Sequence, residues 1–120
     1  MVVDSSVWME MIFDGPLRKK CEDRVKGMAV LVPSSVLFEV YKKIKKQISE
    51  EVALETVAAL SKYKTIEITR DIALLAADLS LEQNLGMADS LVLACANANK
   101  VGLITLDNDF TSVPNAQVIR

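Results

Sequence analysis

Short apolar runs separated by helical stretches constrain the fold of this chain more than any other feature. Three runs are apolar at nearly every position, at residues 1–3 (MVV), 29–32 (AVLV) and 103–106 (LITL). Such runs are typical of strands buried on both faces of a sheet. Residues 65–68 (TIEI) and 116–119 (AQVI) each contain one strongly polar residue, which predicts strands at the sheet edges. The sequence therefore predicts five strands.

The segments between these runs have the periodicity and the boundary residues of helices. Residues 14–16 (Asp-Gly-Pro) are expected to begin one helix, with Gly27 just past its end. A last long helix is expected to end at about Lys100 and to precede the fourth strand. Three further helices are expected to begin at hydroxyl side chains that accept hydrogen bonds from backbone N–H groups, at Ser34 or Ser35, at Ser49 and at Thr69.

Strands that alternate with helices predict an α/β fold. We expect one domain over residues 1–120, with a doubly wound, mostly parallel five-stranded sheet and helices on both faces. In the helix after the second strand, an apolar stripe is expected to face the core at Leu37, Tyr41, Ile44 and Ile48. In doubly wound folds the ligand site lies beyond the carboxyl ends of the strands, where the strand order reverses.

Composition excludes several classes of protein. The chain of 120 residues is 51% hydrophobic and 25% charged, as expected of one folded domain. No apolar run approaches the ~18 residues that a membrane span needs. The first residues also lack the basic segment of a signal peptide. Cys21 and Cys95 match no zinc or Cys-x-x-Cys spacing, so we expect a cytoplasmic protein.

Four acidic residues fall where this fold would gather them at one edge of the sheet. Asp4 and Asp107 follow the first and fourth strands, and Glu39 lies in the first turns of the helix after the second strand. Asp89 lies in the first turn of the helix before the fourth strand, and that helix begins at the same edge because it runs antiparallel to the strands. Each acid also has a structural alternative, as a helix cap, a turn former or half of a surface ion pair.

Carboxylates gathered in this way need compensation. Two anions ~5 Å apart at an effective dielectric constant of ~20 repel by roughly 3 kcal/mol. Protons, a Lys or Arg side chain, or a metal ion must offset this repulsion. Oxygen ligands suit Mg²⁺ or Mn²⁺, and the absence of histidine argues against zinc. Because such a bound cation activates water and stabilises the leaving oxygen of a phosphodiester, phosphodiester hydrolysis is the predicted chemistry.

A basic segment accompanies these acids. Residues 17–46 contain nine Lys/Arg and three acids, although the whole chain has a net charge of −2. One interpretation is a pair of solvated helix faces with i,i+4 pairs such as Glu39 with Lys43. The other is a track for a phosphate backbone. The candidate contacts to that backbone are Arg18, Lys19, Lys20, Lys42, Lys43 and Lys46.

Other sites fit the sequence less well. Without histidine there is no Ser-His-Asp triad, and the four glycines are isolated, which excludes dinucleotide and P-loop motifs. An EF-hand loop beginning at Asp107 would have Ser112 and Val118 where glycine and glutamate are needed. A receiver domain would need paired acids after the first strand and a lysine after the last. A catalytically silent α/β binding or scaffold domain remains open.

Four stretches together are similar to the PIN-domain nucleases: VVDSSV (2–7), SSVLFEV (34–40), GMADSLVLACA (86–96) and LITLDNDF (103–110). Within that family the chain resembles the small VapC-type toxins of bacterial and archaeal toxin–antitoxin pairs, over its whole length. The resemblance implies cleavage of single-stranded RNA or RNA loops with Mg²⁺ or Mn²⁺. It also implies a homodimer and an antitoxin protein that blocks the site.

The resemblance also assigns residues. The catalytic and metal-binding quartet would be Asp4, Glu39, Asp89 and Asp107. Ser6 and Thr105 would be the hydroxyl residues that assist this centre. At the fourth position Asp109 is an alternative to Asp107, and we favour Asp107 because it is nearer the strand end.

One apolar segment suggests a contact with a partner. Residues 7–13 (VWMEMIF) are apolar at nearly every position and include Trp8. The segment is either a helix buried on two sides or, with Leu37 and Tyr41, part of a surface that receives an antitoxin helix.

Overall fold

Five strands and six helices alternate along the chain in the computed structural model, which describes residues 1–120. The strands are β1 (Val2–Val3), β2 (Leu31–Pro33), β3 (Lys64–Ile66), β4 (Leu103–Thr105) and β5 (Ala116–Val118). The helices are α1 (Ser5–Ile12), α2 (Arg18–Val25), α3 (Ser34–Gln47), α4 (Glu50–Leu60), α5 (Arg70–Gln83) and α6 (Met87–Ala98). A short 3-10 helix, Asn108–Phe110, follows β4.

All five strands are parallel and lie in the order β3-β2-β1-β4-β5. The chain first builds β1, β2 and β3 outward in one direction, and then adds β4 and β5 on the other side of β1. The strand order therefore reverses between β1 and β4. The predicted doubly wound, five-stranded α/β sheet is confirmed, with β3 and β5 at its edges, and it is wholly rather than mostly parallel.

The central strands are buried on both faces. Val2, Val3, Leu103 and Ile104 have no exposed surface, and successive strand residues point to opposite faces. Helices therefore cover both sides of the sheet, with α6 in contact with β1 and β4 and α1 in contact with β4. Full burial of such side chains contributes about 1.5–3 kcal/mol each, which makes the end of β1 and the end of β4 rigid supports.

Residues 14–16 end α1 rather than begin α2, contrary to the sequence prediction. Asp14 adopts a left-handed conformation with φ 56°, and the N–H of Gly15 donates to the carbonyl of Glu10 at 2.9 Å. This six-residue hydrogen-bonded loop is the usual way to end a helix at a left-handed residue. Helix α2 then begins at Arg18 and ends before Gly27, whose φ of 77° matches the predicted boundary.

The buried stripe of α3 differs in phase from the predicted stripe. Val36, Val40 and Ile44 are fully buried, whereas Leu37 and Tyr41 are only half-buried. Ile44 belongs to both stripes, and its burial is as predicted. The pairs Val36/Val40 and Leu37/Tyr41 have the same i,i+4 spacing on adjacent rows of one helix, so periodicity alone does not choose between them. Ile48, also predicted to be inward, lies beyond the last residue of the helix and is 51% exposed.

The helix caps follow the predictions at two positions out of three. Ser49 accepts from the N–H of Val52, and Thr69 accepts from the N–H of Ile72. Ser34 does not cap α3; its hydroxyl accepts from the N–H of Ile68, just beyond β3. This bond ties the start of α3 to the neighbouring edge strand. Pro33 holds the N-cap position instead, with no side-chain cap.

Trp8 packs inside the molecule. Its side chain is 8% exposed, and its ring centroid lies 5.8 Å from that of Tyr63. Helix α1 also contacts α2, α3 and β4. Val7 and Trp8 are therefore core residues, which removes Trp8 from any partner-binding surface, while the rest of residues 7–13 is half-buried or exposed. The interpretation of that remaining surface as an antitoxin-binding site stays a prediction.

Both cysteines are buried, free thiols. Burial raises the pKa of the Cys95 thiol to about 11, which makes it a poor nucleophile. No helix has the length and apolar character needed to cross a lipid bilayer.

Candidate metal centre

Carboxylates from four segments of the chain lie at the carboxyl edge of the sheet, where the strand order reverses. Asp89, Asp107 and Asp109 each offer an oxygen atom, and these oxygens lie within 4.8 Å of one another. Asp4 and Glu39 lie outside this tight group, but their negative charges act on Asp89. The structure therefore groups Asp89 and Asp107 with Asp109, the alternative named for the fourth position, and it places Asp4 and Glu39 near enough for their charges to act on Asp89.

Asp4 has the most fully bonded carboxylate of the group. Its Oδ1 accepts from the N–H of Ser5 at 2.8 Å, so Asp4 caps α1 as well. Its Oδ2 accepts from the hydroxyls of Ser6 and Thr105, each at 2.8 Å. Because a carboxylate oxygen accepts about two hydrogen bonds, Oδ2 is saturated and Oδ1 retains one free lone pair. A further ligand would therefore meet Asp4 through Oδ1.

The hydroxyls of Ser6 and Thr105 connect Asp4 to the backbone beyond β4. Ser6 Oγ accepts from the N–H of Leu106, and Thr105 Oγ1 accepts from the N–H of Asp107, each at 3.0 Å. The two hydroxyl oxygens lie 3.3 Å apart. Together they hold the end of β1 and the end of β4 at a set spacing. Ser6 and Thr105 are the two hydroxyl residues that the family resemblance implies beside this centre, and their role there stays a prediction.

Asp107 and Asp109 belong to one turn. Asp107 Oδ1 accepts from the N–H of Asp109 at 2.8 Å and so caps the 3-10 helix. Asp107 is half-buried and Asp109 is exposed. This bond is the turn-forming alternative proposed for the DNDF segment, and it leaves Asp107 Oδ2 with no hydrogen bond from the protein. Both acids stand beside Asp89 as candidate ligands.

Among the acids of the cluster, Asp89 has the largest shift in pKa. Burial, and after it the negative charges of Asp107, Asp4, Asp109 and Glu39, together raise the pKa of its carboxyl to about 7. No Lys or Arg forms a salt bridge with any of these five acids. The repulsion within the cluster is therefore offset by no cationic side chain.

Glu39 shows the same effect more weakly. Burial raises the pKa of its carboxyl, and the charge of Asp4 raises it further, while the Ser5 hydroxyl opposes the shift. Because Glu39 lies in the second turn of α3, it stands between the acids at the sheet edge and the lysines farther along that helix.

The donor set fits a hard divalent cation. All five candidate ligands are carboxylates, and Asp107 Oδ2 and Asp4 Oδ1 can accept further bonds. Mg²⁺ and Mn²⁺ prefer such oxygen ligands, whereas zinc is usually held by nitrogen and sulfur. The chain has no histidine, and its two cysteines are buried thiols. A cation at this place would offset the repulsion that the cluster otherwise carries.

The predicted basic segment splits into two sets in the structure. Lys42, Lys43 and Lys46 line a depression of about 320 Å³ on α3, together with Glu39 and Phe38. The i,i+4 ion pair of Glu39 with Lys43, offered as the alternative interpretation, is not formed. These lysines therefore adjoin the acidic cluster without neutralising it.

The cationic side chains at the start of α2 bind partners within the protein. Arg18 forms salt bridges with Asp14 and Glu22, at 3.0 and 2.7 Å. Lys19 pairs more loosely with an acid one turn further along, at 3.9 Å, and Lys20 donates to the carbonyl of Arg120. The structure does not group these three residues with the lysines of α3.

One exposed aromatic ring beside Glu39, that of Phe38, was not among the predicted site residues. Phe38 directly precedes Glu39 and is 65% exposed. Phe38 lies outside the apolar stripe that the sequence predicts for α3 as well as outside the observed one. This was the available signal, because an aromatic residue outside the core stripe of a helix has no packing reason to be there.

Comparison with known proteins assigns the fold to a family. A family model for the PIN domain matches residues 1–116. The chain belongs to the PIN-domain family. No curated protein sequence matches it significantly.

Solved structures share this PIN-domain fold along nearly their whole length. A toxin–antitoxin complex from Klebsiella pneumoniae contains a chain that is 26% identical, with a TM-score of 0.83, covering 98% of this chain and 95% of that chain. VapC20 of Mycobacterium tuberculosis, described as a sarcin-ricin loop cleaving toxin, is 18% identical, with a TM-score of 0.81 and coverage of 99% and 98%. VapBC2 of Rickettsia felis, bound to a DNA fragment from its promoter, is 18% identical, with a TM-score of 0.75 and coverage of 98% and 96%.

Proposed function

We propose that this PIN domain, over residues 1–120, is a metal-dependent endoribonuclease and the toxin of a type II toxin–antitoxin pair. The observation that carries the proposal is the group of acids at the switch point, with no cationic side chain to compensate them. The toxin–antitoxin complex from Klebsiella pneumoniae and the loop-cleaving toxin of Mycobacterium tuberculosis, both similar in fold, support the choice of RNA and of a toxin.

The proposed ligands of Mg²⁺ or Mn²⁺ are Asp4, Asp89 and Asp107, with Glu39 and Asp109 beside them. Bound there, such a cation supplies an activated water and stabilises the leaving oxygen of a phosphodiester. The free lone pair on Asp4 Oδ1 and the unbonded Asp107 Oδ2 support this assignment. Asp107 remains the preferred fourth acid, since its backbone is held by the Thr105 hydroxyl and it is the less exposed of the two.

The remaining residues of the site orient the ligands of the cation or bind the RNA backbone. The hydroxyls of Ser6 and Thr105 orient the Asp4 carboxylate, so that it needs little reorganisation when a ligand arrives. Asp89, whose pKa is about 7, is partly protonated in the ion-free protein near neutral pH and releases the proton when a cation offsets the charge of the cluster. Lys42, Lys43 and Lys46 attract the RNA backbone toward Glu39.

The proposed partners are an antitoxin protein and a second copy of the chain. The antitoxin is supported by the complexes of similar fold. The homodimer is supported by apolar side chains that the monomer leaves open to water, notably Leu81, 86% exposed, and Met87, 80% exposed. If they form the contact, Leu81→Lys should convert the dimer to a monomer in sedimentation velocity. The two unpaired cysteines fit a cytoplasmic location.

Cleavage of end-labelled single-stranded RNA tests the function. The partner-free protein is incubated with Mg²⁺ or Mn²⁺, and in parallel with EDTA. Asp89→Asn removes one proposed ligand, and Asp78→Asn is the matched control because Asp78 is an exposed acid on α5 outside the cluster. Cutting that requires metal, survives in Asp78→Asn and is lost in Asp89→Asn supports the nuclease. Equal cutting by both variants indicates a contaminant.

The alternative is a silent scaffold whose acids only cap helices, and a specific observation favours it in part. Asp4 caps α1 and Asp107 caps the 3-10 helix in the structure. Capping does not account for Asp89, which accepts no hydrogen bond and stands beside uncompensated acids. Absence of both cutting and metal binding would select the scaffold.

A further inference from the structure

Two phenylalanine rings are exposed near the lysines of α3, and one of them, Phe38, lies beside Glu39. Phe38 lies in α3 immediately before Glu39 and is 65% exposed, and Phe13 lies at the end of α1 and is 36% exposed. Neither ring belongs to the hydrophobic core. An exposed aromatic ring loses the stabilisation that burial gives, so the fold does not explain why Phe38 is there.

Lysine side chains lie against both rings. Lys42 Nζ is 5.6 Å from the centroid of Phe38, and Lys43 Nζ is 5.6 Å from the centroid of Phe13. Neither these lysines nor Lys46 forms a salt bridge. The surface beside the cluster therefore combines aromatic faces with cations that have no acidic partner.

The helix sets these groups in a row. Phe38, Lys42 and Lys46 follow one another at i,i+4 spacing and lie on one face of α3. At about 1.5 Å per residue, the row extends ~12 Å along the helix. It begins beside Glu39, and the same depression is lined by Phe38, Glu39, Lys42, Lys43, Lys46 and Gln47.

We propose that Phe38 is a stacking platform for an unpaired base of the RNA next to the cleaved bond, with Lys42 and Lys46 on the neighbouring phosphates. The proposal rests on the proposed ribonuclease function and adds a positioning residue to it. Proteins that bind single strands combine a cationic groove with aromatic rings on which bases stack. The bases of a duplex are already stacked, so a duplex offers the ring no free face.

The chemistry of the depression favours RNA over a protein helix. Of its six lining residues only Phe38 is hydrophobic, and three are unpaired lysines. A groove for an amphipathic helix needs several apolar positions at i, i+3 and i+4 spacing. Binding of a protein partner at Phe38 is thus the competing outcome of the test.

Binding in EDTA tests the platform without relying on cleavage. Fluorescence anisotropy is measured for a labelled single-stranded RNA and for the same sequence in a duplex. Phe38→Ala and Phe38→Leu should weaken binding of the single strand about tenfold, and Phe38→Tyr, which keeps a ring, should bind like the wild type. Leu54→Ala is the control, since Leu54 is an exposed apolar residue on α4 that does not line the depression. A 2-aminopurine base in the strand should be quenched by the wild type and not by Phe38→Ala.

Lys42→Gln separates stacking from charge. It should weaken binding of the single strand and the duplex alike, and it should lower the slope of log K against log salt by about 0.7 for the single strand. Phe38→Ala should leave that slope unchanged. Unchanged thermal melting of each variant shows that the fold is intact, as expected for exposed positions.

Several results would overturn the platform. The platform fails if Phe38→Ala binds the single strand as tightly as the wild type does, or if it loses as much affinity for the duplex as for the single strand. It also fails if the wild type does not bind RNA, or if Phe38→Ala loses affinity only for a co-purified protein partner. Since cleavage by the wild type and by Asp89→Asn is measured separately, a failed platform with intact metal-dependent cutting leaves the nuclease standing. Ring-dependent binding without cutting would reject the nuclease and keep an RNA-binding surface.

Discussion

The Thr105 hydroxyl donates to Asp4 Oδ2 at 2.8 Å and accepts from the N–H of Asp107 at 3.0 Å. Because Asp4 follows β1 and Thr105 ends β4, this one side chain joins the two strands on either side of the switch point. Thr105 itself has no exposed surface. The spacing between two candidate ligands therefore depends on a buried hydroxyl.

Replacement of that hydroxyl should destabilise the folded protein. Thr105→Val keeps the shape of the side chain but leaves the N–H of Asp107 without a partner. We expect the free energy of unfolding to fall by about 1–3 kcal/mol, the usual cost of an unsatisfied buried polar group. Thr105→Ser, which retains the hydroxyl, should restore much of the bonding. Urea unfolding of the three proteins measures this, and a Thr105→Val protein as stable as the wild type would contradict it.

The ion-free protein should lose stability as the pH rises. The Asp89 carboxyl has a pKa of about 7 in the fold, raised chiefly by burial and then by neighbouring acids, against an ordinary value of 3.8. Because the folded state holds this proton more tightly, the contribution of Asp89 to stability is fully present below pH 3.8 and falls as the pH rises to about 7. Asp89→Asn cannot ionise, so its advantage over the wild type should grow across that range and then level off.

Thermal melts in EDTA at a series of pH values measure this advantage. Asp78→Asn, in which an exposed acid on α5 is changed, should run parallel to the wild type. Parallel curves for Asp89→Asn and the wild type would show that burial and the acidic neighbours do not act on Asp89 as described.

A divalent cation should stabilise the folded protein. Binding to the native state alone adds about 2.7 kcal/mol when the ion is at 100 times its dissociation constant, so the melting temperature should rise with Mg²⁺ or Mn²⁺. The rise should be smaller at pH 6 than at pH 8, because a proton on Asp89 competes with the cation. Asp4→Asn should abolish the rise, and Asp78→Asn should keep it. No rise in the wild type at millimolar ion would favour the scaffold alternative.

Asp107 and Asp109 should differ in their effect on metal affinity. Asp107 is half-buried and its backbone is anchored by Thr105, whereas Asp109 is exposed. We expect Asp107→Asn to weaken Mn²⁺ binding about tenfold or more and Asp109→Asn to weaken it only a few-fold, since a charge in water is better screened. Calorimetric titration with Mn²⁺ compares them. A larger loss in Asp109→Asn would reverse the assignment.

Trp8 should act through packing rather than through a partner. Its ring is buried against Tyr63, and its indole N–H has no hydrogen-bond partner. Trp8→Ala should cost about 3–5 kcal/mol of unfolding free energy. Trp8→Phe should cost much less, because it keeps the aromatic contact and removes the unpaired donor. A shift in tryptophan emission when a protein partner dissociates would contradict this and would show that Trp8 contacts the partner.

Local signals were sufficient for most of the architecture. The apolar runs placed all five strands, and the polar residue in each of two runs identified the edges β3 and β5. Ser49 and Thr69 were found as caps because capping depends on a few adjacent residues. The errors arose where two local interpretations were equally good. Residues 14–16 can begin a helix or end one, and in the structure the left-handed conformation of Asp14 ends α1.

The sequence by itself determined the element order, and it predicted four acids at the carboxyl edge of the sheet as the proposed site. These follow from periodicity and from the parallel topology that alternating strands and helices impose. Only the tertiary structure decided which row of α3 faces the core and whether Asp109 lies close to Asp89 and Asp107. It also decided that Phe38 and the neighbouring lysines are exposed beside Glu39. The physical reason is that these outcomes depend on contacts between elements distant in the chain, which periodicity along one element does not encode.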